Sequence, residues 1–105
     1  MIVRNLSIHL KPNSLALFSK TFAEEVLPEL RKQAGFLDEF AFVNDKCNHI
    51  TAISMWENRE SADAYQIAGH VQAMTALANA IEGTTKMRTA DIVSSTLHES
   101  ETAAV

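Results

Sequence analysis

Strand-like and helix-like hydrophobic patterns follow each other along the chain in an order that few folds share. Residues 2–10 alternate with a period of two, which is typical of a strand with one apolar face. Residues 15–33 place apolar side chains every three or four positions and predict a long helix. Pro28 predicts a kink or break in the preceding turn, because its nitrogen cannot donate a hydrogen bond. Residues 36–44 and His49–Trp56 predict a β-hairpin joined by a polar turn.

The second half of the chain repeats the helical and strand patterns. A helix is expected from Arg59 with Asn58 as its cap, and Gly69 predicts an interruption. Residues 70–81 predict a further helix, and residues 86–98 a last strand. The resulting order, β-α-β-β-α-β, is that of an α+β, ferredoxin-like fold, in which a four-stranded antiparallel sheet carries helices on one face.

The aromatic residues divide into a predicted core set and a pair that could meet a ligand. Phe36, Phe40 and Phe42 share one parity in the predicted second strand. They are expected to wall the core together with two phenylalanines of the first helix, Phe18 and Phe22. Trp56 and Tyr65 are then the remaining aromatic residues that a ligand could contact.

Size and charge exclude several classes of protein. A chain of 105 residues fits one domain, expected over residues 1–98, with residues 99–105 as a flexible tail. Nine basic against thirteen acidic residues give a net charge of −4, which argues against a nucleic-acid partner. Cys47 is the only cysteine of the sequence, so no intrachain disulfide is expected. No apolar run approaches the ~20 residues that span a bilayer, and we expect a cytoplasmic protein without membrane contact.

The predicted sheet leaves one of its faces without helices. Much of that face carries apolar or small side chains, and a single domain of this size has a modest core. A second copy pressed against the bare face would remove its apolar surface from water. The sequence therefore predicts a homodimer through the open sheet face.

Three stretches carry a likeness to a known family. The first is IHLKPNSLALFSKTFAEEVLPELRKQAGF, in which Pro28 is followed seven residues later by the closing Gly35-Phe36. The second is ISMWENRESADAY, in which a tryptophan precedes a short helix, and the third is AYQIAGHVQAM, in which a histidine opens the next helix. In their order and spacing, these stretches resemble the antibiotic biosynthesis monooxygenase (ABM) family of dimeric α+β barrels.

The resemblance implies a cofactor-independent monooxygenase that oxidises a quinol or a polycyclic phenol with O2. Because an electron-rich phenolate can itself pass an electron to O2, the protein has to bind it in an apolar pocket, favour its deprotonated form and exclude water. The alternative is a non-catalytic dimeric α+β barrel, either a small-ligand-binding or a stress-associated protein. The lack of a cavity near ~300 Å³ between helices and sheet, the low end for ligand sites, would favour a purely structural role.

His70, Tyr65 and Trp56 are the site candidates in the second half of the chain. His70 could accept a phenolic proton, since an ordinary histidine titrates near about pH 6.5, or it could be a capping or interface residue. The Tyr65 hydroxyl could hydrogen-bond a substrate oxygen, or its tip could simply lie in water. Trp56 could stack on a planar substrate, although a tryptophan at a strand end is more often a core or interface anchor.

Asn5, Ser7 and His9 are the candidates on the first strand. They share one strand face and would line a cleft if that face looks toward the helices. In the alternative they are solvated, as polar groups on one strand face commonly are. The resemblance implies a catalytic role for Asn5, because related enzymes use an asparagine at this place to orient substrate or oxygen.

No metal or cofactor is expected from these residues. The four histidines lack the close spacing of a zinc or iron site. The resemblance does not extend to the heme-degrading relatives, because Thr75 stands where they place the histidine that binds the iron.

Overall fold

The predicted α+β, ferredoxin-like fold is confirmed. A computed structural model describes residues 1–96, and the predicted tail, 99–105, lies outside them. The last strand ends at Asp91, earlier than predicted, and positions 97 and 98 of the predicted strand also lie outside the described residues. The elements in chain order are β1 Ile2–His9, α1 Leu15–Thr21, a π-helical turn Phe22–Val26, α2 Leu27–Arg31, β2 Phe36–Val43, β3 His49–Trp56, α3 Arg59–Ala68, α4 His70–Leu77 and β4 Lys86–Asp91.

The four strands form one antiparallel sheet in the order β2-β3-β1-β4. In β1, Ile2 and Ile8 are buried in the core beneath the helices, and Ile50, Ala52 and Trp56 of β3 lie on the same face. We call this the helix face. The opposite face, which we call the open face, carries the intervening residues of each strand because side chains alternate along a strand. On β1 and β3 these are Val3, Asn5, Ser7, His9, His49, Thr51, Ile53 and Met55.

The first helix changes its winding one turn before Pro28, as predicted. Residues Phe22–Val26 form a π-helical turn between α1 and α2, and Pro28 lies in the first turn of α2. Proline has no N–H and its ring crowds the carbonyl four residues earlier. A π-helical turn accommodates both effects without ending the helix, and such turns are frequent at functional sites.

The prediction that Phe36, Phe40 and Phe42 all wall the core is wrong for two of them. The pairing of β2 with β3 shifts by one residue between Phe36 and Asp38, so the strand changes face at this bulge. Phe36 packs against the core, with its ring edge-on to Trp56. Phe40 and Phe42 pair with Ile53 and Thr51 and therefore lie on the open face. Phe42 is 56% exposed.

The helices over the other half of the sheet begin and break as predicted. The Asn58 side chain accepts a hydrogen bond from the Ser61 backbone N–H at 2.9 Å and caps α3. Gly69 separates α3 from α4, which ends at Leu77 rather than at residue 81. This break brings the start of α4 over the sheet. Within residues 1–96, no helix is long and apolar enough to cross a membrane.

Candidate active site

A small apolar cavity lies between the helices and the helix face of the sheet. Its volume is about 50 Å³. Phe22, Val26 and Leu30 form the wall on the side of the first helix, and Met74 and Met87 lie on the opposite side. The polar or ionisable side chains that line it come from five different elements and are Arg4, Glu39, Ser54, Tyr65, Gln66 and His70. The cavity therefore combines apolar walls with a few converging polar groups, as ligand sites do.

Tyr65 and His70 both line the cavity. Tyr65 lies on α3 and His70 is the first residue of α4, so the break at Gly69 is what brings their side chains to the same space. Burial lowers the pKa of His70, and the neighbouring Arg4 charge lowers it further, so the imidazole is neutral near pH 7. Burial, followed by the charge of Glu29, raises the pKa of Tyr65, which remains a hydrogen-bond donor.

Arg4 is a cavity residue that the sequence-based prediction missed. It lies on β1 between Ile2 and Leu6, on the helix face, and its guanidinium group forms an ion pair with Asp63. The same group donates to the Gln66 side chain at 3.0 Å. A charge at a position whose strand neighbours are apolar was the available signal, since buried charges are rare and require partners.

Glu39 is the second residue that was missed. It lies on β2 opposite Ser54, which in turn lies opposite Arg4, so the three side chains form one row across the helix face. Burial, followed by the neighbouring charge of Asp38, raises the pKa of Glu39 from 4.5 to about 7. Glu39 faces the helices because of the bulge after Phe36. The sequence pattern did not predict that bulge.

The raised pKa of Glu39 predicts that the protein loses stability as the pH rises. The folded protein binds this proton more tightly than the unfolded chain, so the free energy of unfolding falls between the two pKa values, 4.5 and about 7. We expect a loss of about 2 kcal/mol, allowing for partial screening by solvent. Urea unfolding at about pH 5 and about pH 8 should show this decline in the wild type and not in Glu39→Gln.

The control for this measurement is Glu29→Gln, which changes an exposed carboxylate outside the cavity and should keep the decline. His70, whose pKa is lowered, acts in the opposite direction below its ordinary pKa of about 6.5 and does so in all three proteins. Equal declines in the wild type and in Glu39→Gln would assign the effect to another group.

Trp56 takes the core position of its two predicted alternatives. It is 1% exposed, and its indole N–H donates to the Ser54 hydroxyl at 2.9 Å. Its ring stacks on Tyr65 with centroids 5.4 Å apart. Trp56 therefore packs behind Ser54 and Tyr65, which line the cavity. Among residues 1–96, Trp56 itself is not a lining residue of the cavity.

Asn5, Ser7 and His9 lie on the other side of the sheet from the cavity. The condition under which they would line a cleft, that their strand face looks toward the helices, is not met. Arg4 and the buried Ile8 point toward the helices, so the residues between them point away. Ser7 is hydrogen-bonded to the His49 ring at 2.7 Å, and His9 meets the same ring edge-on.

The room available for a ligand is divided into two spaces. The cavity of about 50 Å³ is well below the ~300 Å³ expected of a ligand site. A groove of about 350 Å³ runs beside it, along the edge strand β2 and under α1. Phe22 and Glu39 line both spaces.

Among residues 1–96, no three His, Cys, Asp or Glu side chains come together as a metal site would require. The polar side chains of the cavity include a glutamate, a histidine, an arginine and a tyrosine. They can exchange protons with a bound molecule and stabilise a negative charge on it.

Comparison with known proteins assigns the chain to a family. The sequence profile of the family described as "Antibiotic biosynthesis monooxygenase" matches residues 1–77. Curated protein sequences show no match.

Solved structures share the fold at low sequence identity. A putative antibiotic biosynthesis monooxygenase from Nitrosomonas europaea is 12% identical, with a TM-score of 0.75 over 90% of this chain and 100% of that chain. SnoaB, a cofactor-independent oxygenase from Streptomyces nogalater, is 17% identical, with a TM-score of 0.75 over 92% and 97%. The ActVA-Orf6 monooxygenase of Streptomyces coelicolor, in complex with the ligand nanaomycin D, is 14% identical, with a TM-score of 0.77 over 93% and 92%. By its sequence match, this chain belongs to the antibiotic biosynthesis monooxygenase family.

Proposed function

We propose that this protein is a cofactor-independent monooxygenase that oxidises a quinol or phenol with O2. The observation that carries the proposal is the meeting of a neutral histidine, a tyrosine hydroxyl and an arginine in one apolar cavity, formed by His70, Tyr65 and Arg4. Family membership and the names of the similar structures point the same way.

The chemistry requires no more than the protein and the substrates. His70 accepts a phenolic proton and the electron pair stays on the oxygen, which Arg4 stabilises as a phenolate. The phenolate passes one electron to O2, and the resulting radical and superoxide combine through a new C–O bond to a ring hydroperoxide. Cleavage of the O–O bond releases water and leaves one oxygen atom on the ring. A quinol and O2 thereby yield a hydroxyquinone and water, and four electrons pass from the substrate to O2.

The proposal predicts O2 consumption that depends on the cavity. Purified protein should consume O2 with members of a panel of hydroquinones and anthrones and convert them to the oxygenated quinones, measured with an oxygen electrode and mass spectrometry. Labelled O2 should leave one labelled atom in the product. Tyr65→Phe removes a donor to the substrate oxygen and should slow the reaction by about tenfold. Consumption no faster than in a His70→Ala, Tyr65→Phe double variant would refute the proposal.

The small cavity favours a second candidate function, a non-catalytic barrel whose cleft is filled by its own side chains or binds a small apolar ligand passively. A space of about 50 Å³ holds little more than one or two water molecules until a wall side chain moves. Met74 and Met87 are flexible side chains that could move in this way. A binder without catalysis would show saturable binding of an aromatic molecule and no O2 consumption with any member of the panel.

We further propose that the protein is a homodimer through the open face. The support is the apolar surface there: Phe42 is 56% exposed, and its ring lies against that of Phe40 with centroids 6.5 Å apart. Ile53 and Val3 continue this surface toward the centre of the sheet. Apolar patches of this kind on a sheet commonly pair with a second copy.

A further inference from the structure

Two buried polar atoms, each on a residue that lines the same apolar cavity, have no hydrogen-bond partner among the described residues. One is the Nε of Arg4, and the other is the Oε2 of Glu39. Buried polar groups are nearly always paired, so each orphaned atom calls for an explanation. Because both residues line the cavity between helices and sheet, one bound molecule could satisfy both atoms.

The register of the sheet sets the separation between the two groups. Glu39 and Arg4 lie on the two strands that flank β3, with Ser54 between them. Strands are about 4.8 Å apart, so the two backbones are separated by about 9.6 Å. The Arg4 terminal nitrogens are turned to α3, where they bind Asp63 and Gln66, which leaves Nε as the unpaired donor. The unpaired donor and the carboxylate oxygen therefore belong to opposite sides of the cavity floor.

We propose that this pair makes the site selective for a single aromatic ring with oxygen atoms at its 1 and 4 positions, with Glu39 as the residue that determines this specificity. One oxygen accepts the Arg4 Nε–H, and the hydroxyl at the other end of the ring donates to the Glu39 carboxylate. The inference rests on the proposed function, whose substrate class it narrows from quinols and phenols to para-diols.

Other ring patterns satisfy the site less well. A 1,2-diol carries both oxygens at the same end of the ring and reaches one of the two groups. A monophenol leaves the Glu39 oxygen unpaired, as it is in the free protein, and so gains only one of the two hydrogen bonds. A single ring enters the cavity of about 50 Å³ only when a wall side chain such as Met74 or Met87 moves aside. Several fused rings would require a larger movement, so we place the single ring before the polycyclic substrates.

The charge state of Glu39 adds a pH dependence to this selectivity. Its pKa of about 7 means that the accepting carboxylate form becomes dominant as the pH rises above neutrality. The other titratable or charged groups facing it are Arg4 from β1, Tyr65 from α3 and His70 from α4, with Asp38 beside it on β2. A hydrogen bond to the carboxylate should therefore strengthen between about pH 6 and about pH 8.

The test is equilibrium binding without O2, so that recognition is measured apart from oxidation. The probes are benzene-1,4-diol, benzene-1,2-diol, phenol and 4-methoxyphenol, the last of which keeps the second oxygen but not its hydrogen. We expect the wild type to bind the 1,4-diol at least about tenfold more tightly than each of the others. The affinity for the 1,4-diol should rise with pH through about 7, while that for 4-methoxyphenol should not.

Two variants separate specificity from general structure. Glu39→Gln keeps the size of the side chain and, because its amide can donate to a methoxy oxygen, should bring the two para-substituted probes to within about twofold of each other. Glu29→Gln, outside the cavity, should keep the wild-type preference. If Glu39→Gln does not fold, the wild-type pH dependence and the probe ranking still test the proposal.

The outcomes distinguish this inference from the proposed function. Equal binding of the 1,4-diol and 4-methoxyphenol by the wild type, or an unchanged preference in Glu39→Gln, would overturn the inference. If the protein nevertheless consumes O2 with phenols, the proposed function stands without it. Selective anaerobic binding of the 1,4-diol without O2 consumption would instead support the specificity and refute the monooxygenase.

Discussion

Replacing His70 by glutamine should lower kcat/KM for O2-dependent oxidation by about a hundredfold to ten-thousandfold, the range contributed by a positioned general base. Glutamine has a similar size and stays neutral, but it cannot accept and hold a proton at pH 7. His49→Gln is the matched control, because His49 lies on the open face and is bonded to Ser7 rather than to the cavity. Initial rates of O2 uptake at several substrate concentrations measure both variants.

The dependence of kcat/KM on pH is a second test of His70. Because burial and Arg4 lower the pKa of His70, its basic form persists below the ordinary histidine value of about 6.5. In Glu39→Gln, which lacks the carboxylate whose pKa is about 7, we therefore expect kcat/KM to decline only at a pH below that value on the acid side. A similar loss in His49→Gln and His70→Gln, or an acid limb above about pH 6.5 in Glu39→Gln, would exclude His70 as the base.

Replacing Phe42 by glutamate should weaken the homodimer by about a hundredfold or more in Kd. The substitution removes an aromatic side chain from the apolar open face and puts a charge in its place, and each change opposes burial against a second copy. Sedimentation velocity over a range of protein concentrations measures the change. The monomer fold should be retained, because Phe42 is half exposed in a single chain.

The control for Phe42→Glu is Ile67→Glu. Ile67 is 85% exposed on α3, on the helical side of the molecule, so the same introduced charge should leave the dimer intact. A wild-type protein that sediments as a monomer, or equal dissociation by both substitutions, would contradict a dimer through the open face.

Local patterns were sufficient for the elements and for part of the site. The helix break at Gly69 and the cap at Asn58 depend on backbone freedom and on a short side-chain oxygen, which are properties of single residues. The candidates Tyr65 and His70 followed from the chemistry of their side chains and from the family resemblance, and both line the cavity.

Strand orientation could not be predicted in the same way. Alternation along β1 separates two sets of residues, one for each face of the strand. Both sets contain polar residues, so the alternation did not decide which face packs against the helices. Arg4 interrupts the more apolar set, and its charge is tolerated there because Asp63 and Gln66 reach it from α3, 59 and 62 positions along the chain. Contacts at such separations are not visible in a local pattern.

The sequence by itself determined the element order, the fold and the family, because periodicity, turns and caps are local and because the family profile reads residues directly. Only the tertiary structure decided which side chains share a cavity. It turned Asn5, Ser7 and His9 away from the helices, and it brought Arg4 and Glu39 into one row across three strands. The physical reason is that side chains alternate strictly between the two faces of a strand. One bulged residue after Phe36 therefore moves the rest of β2 to the opposite faces. The packing of the helices on one side of the sheet then decides which face is buried.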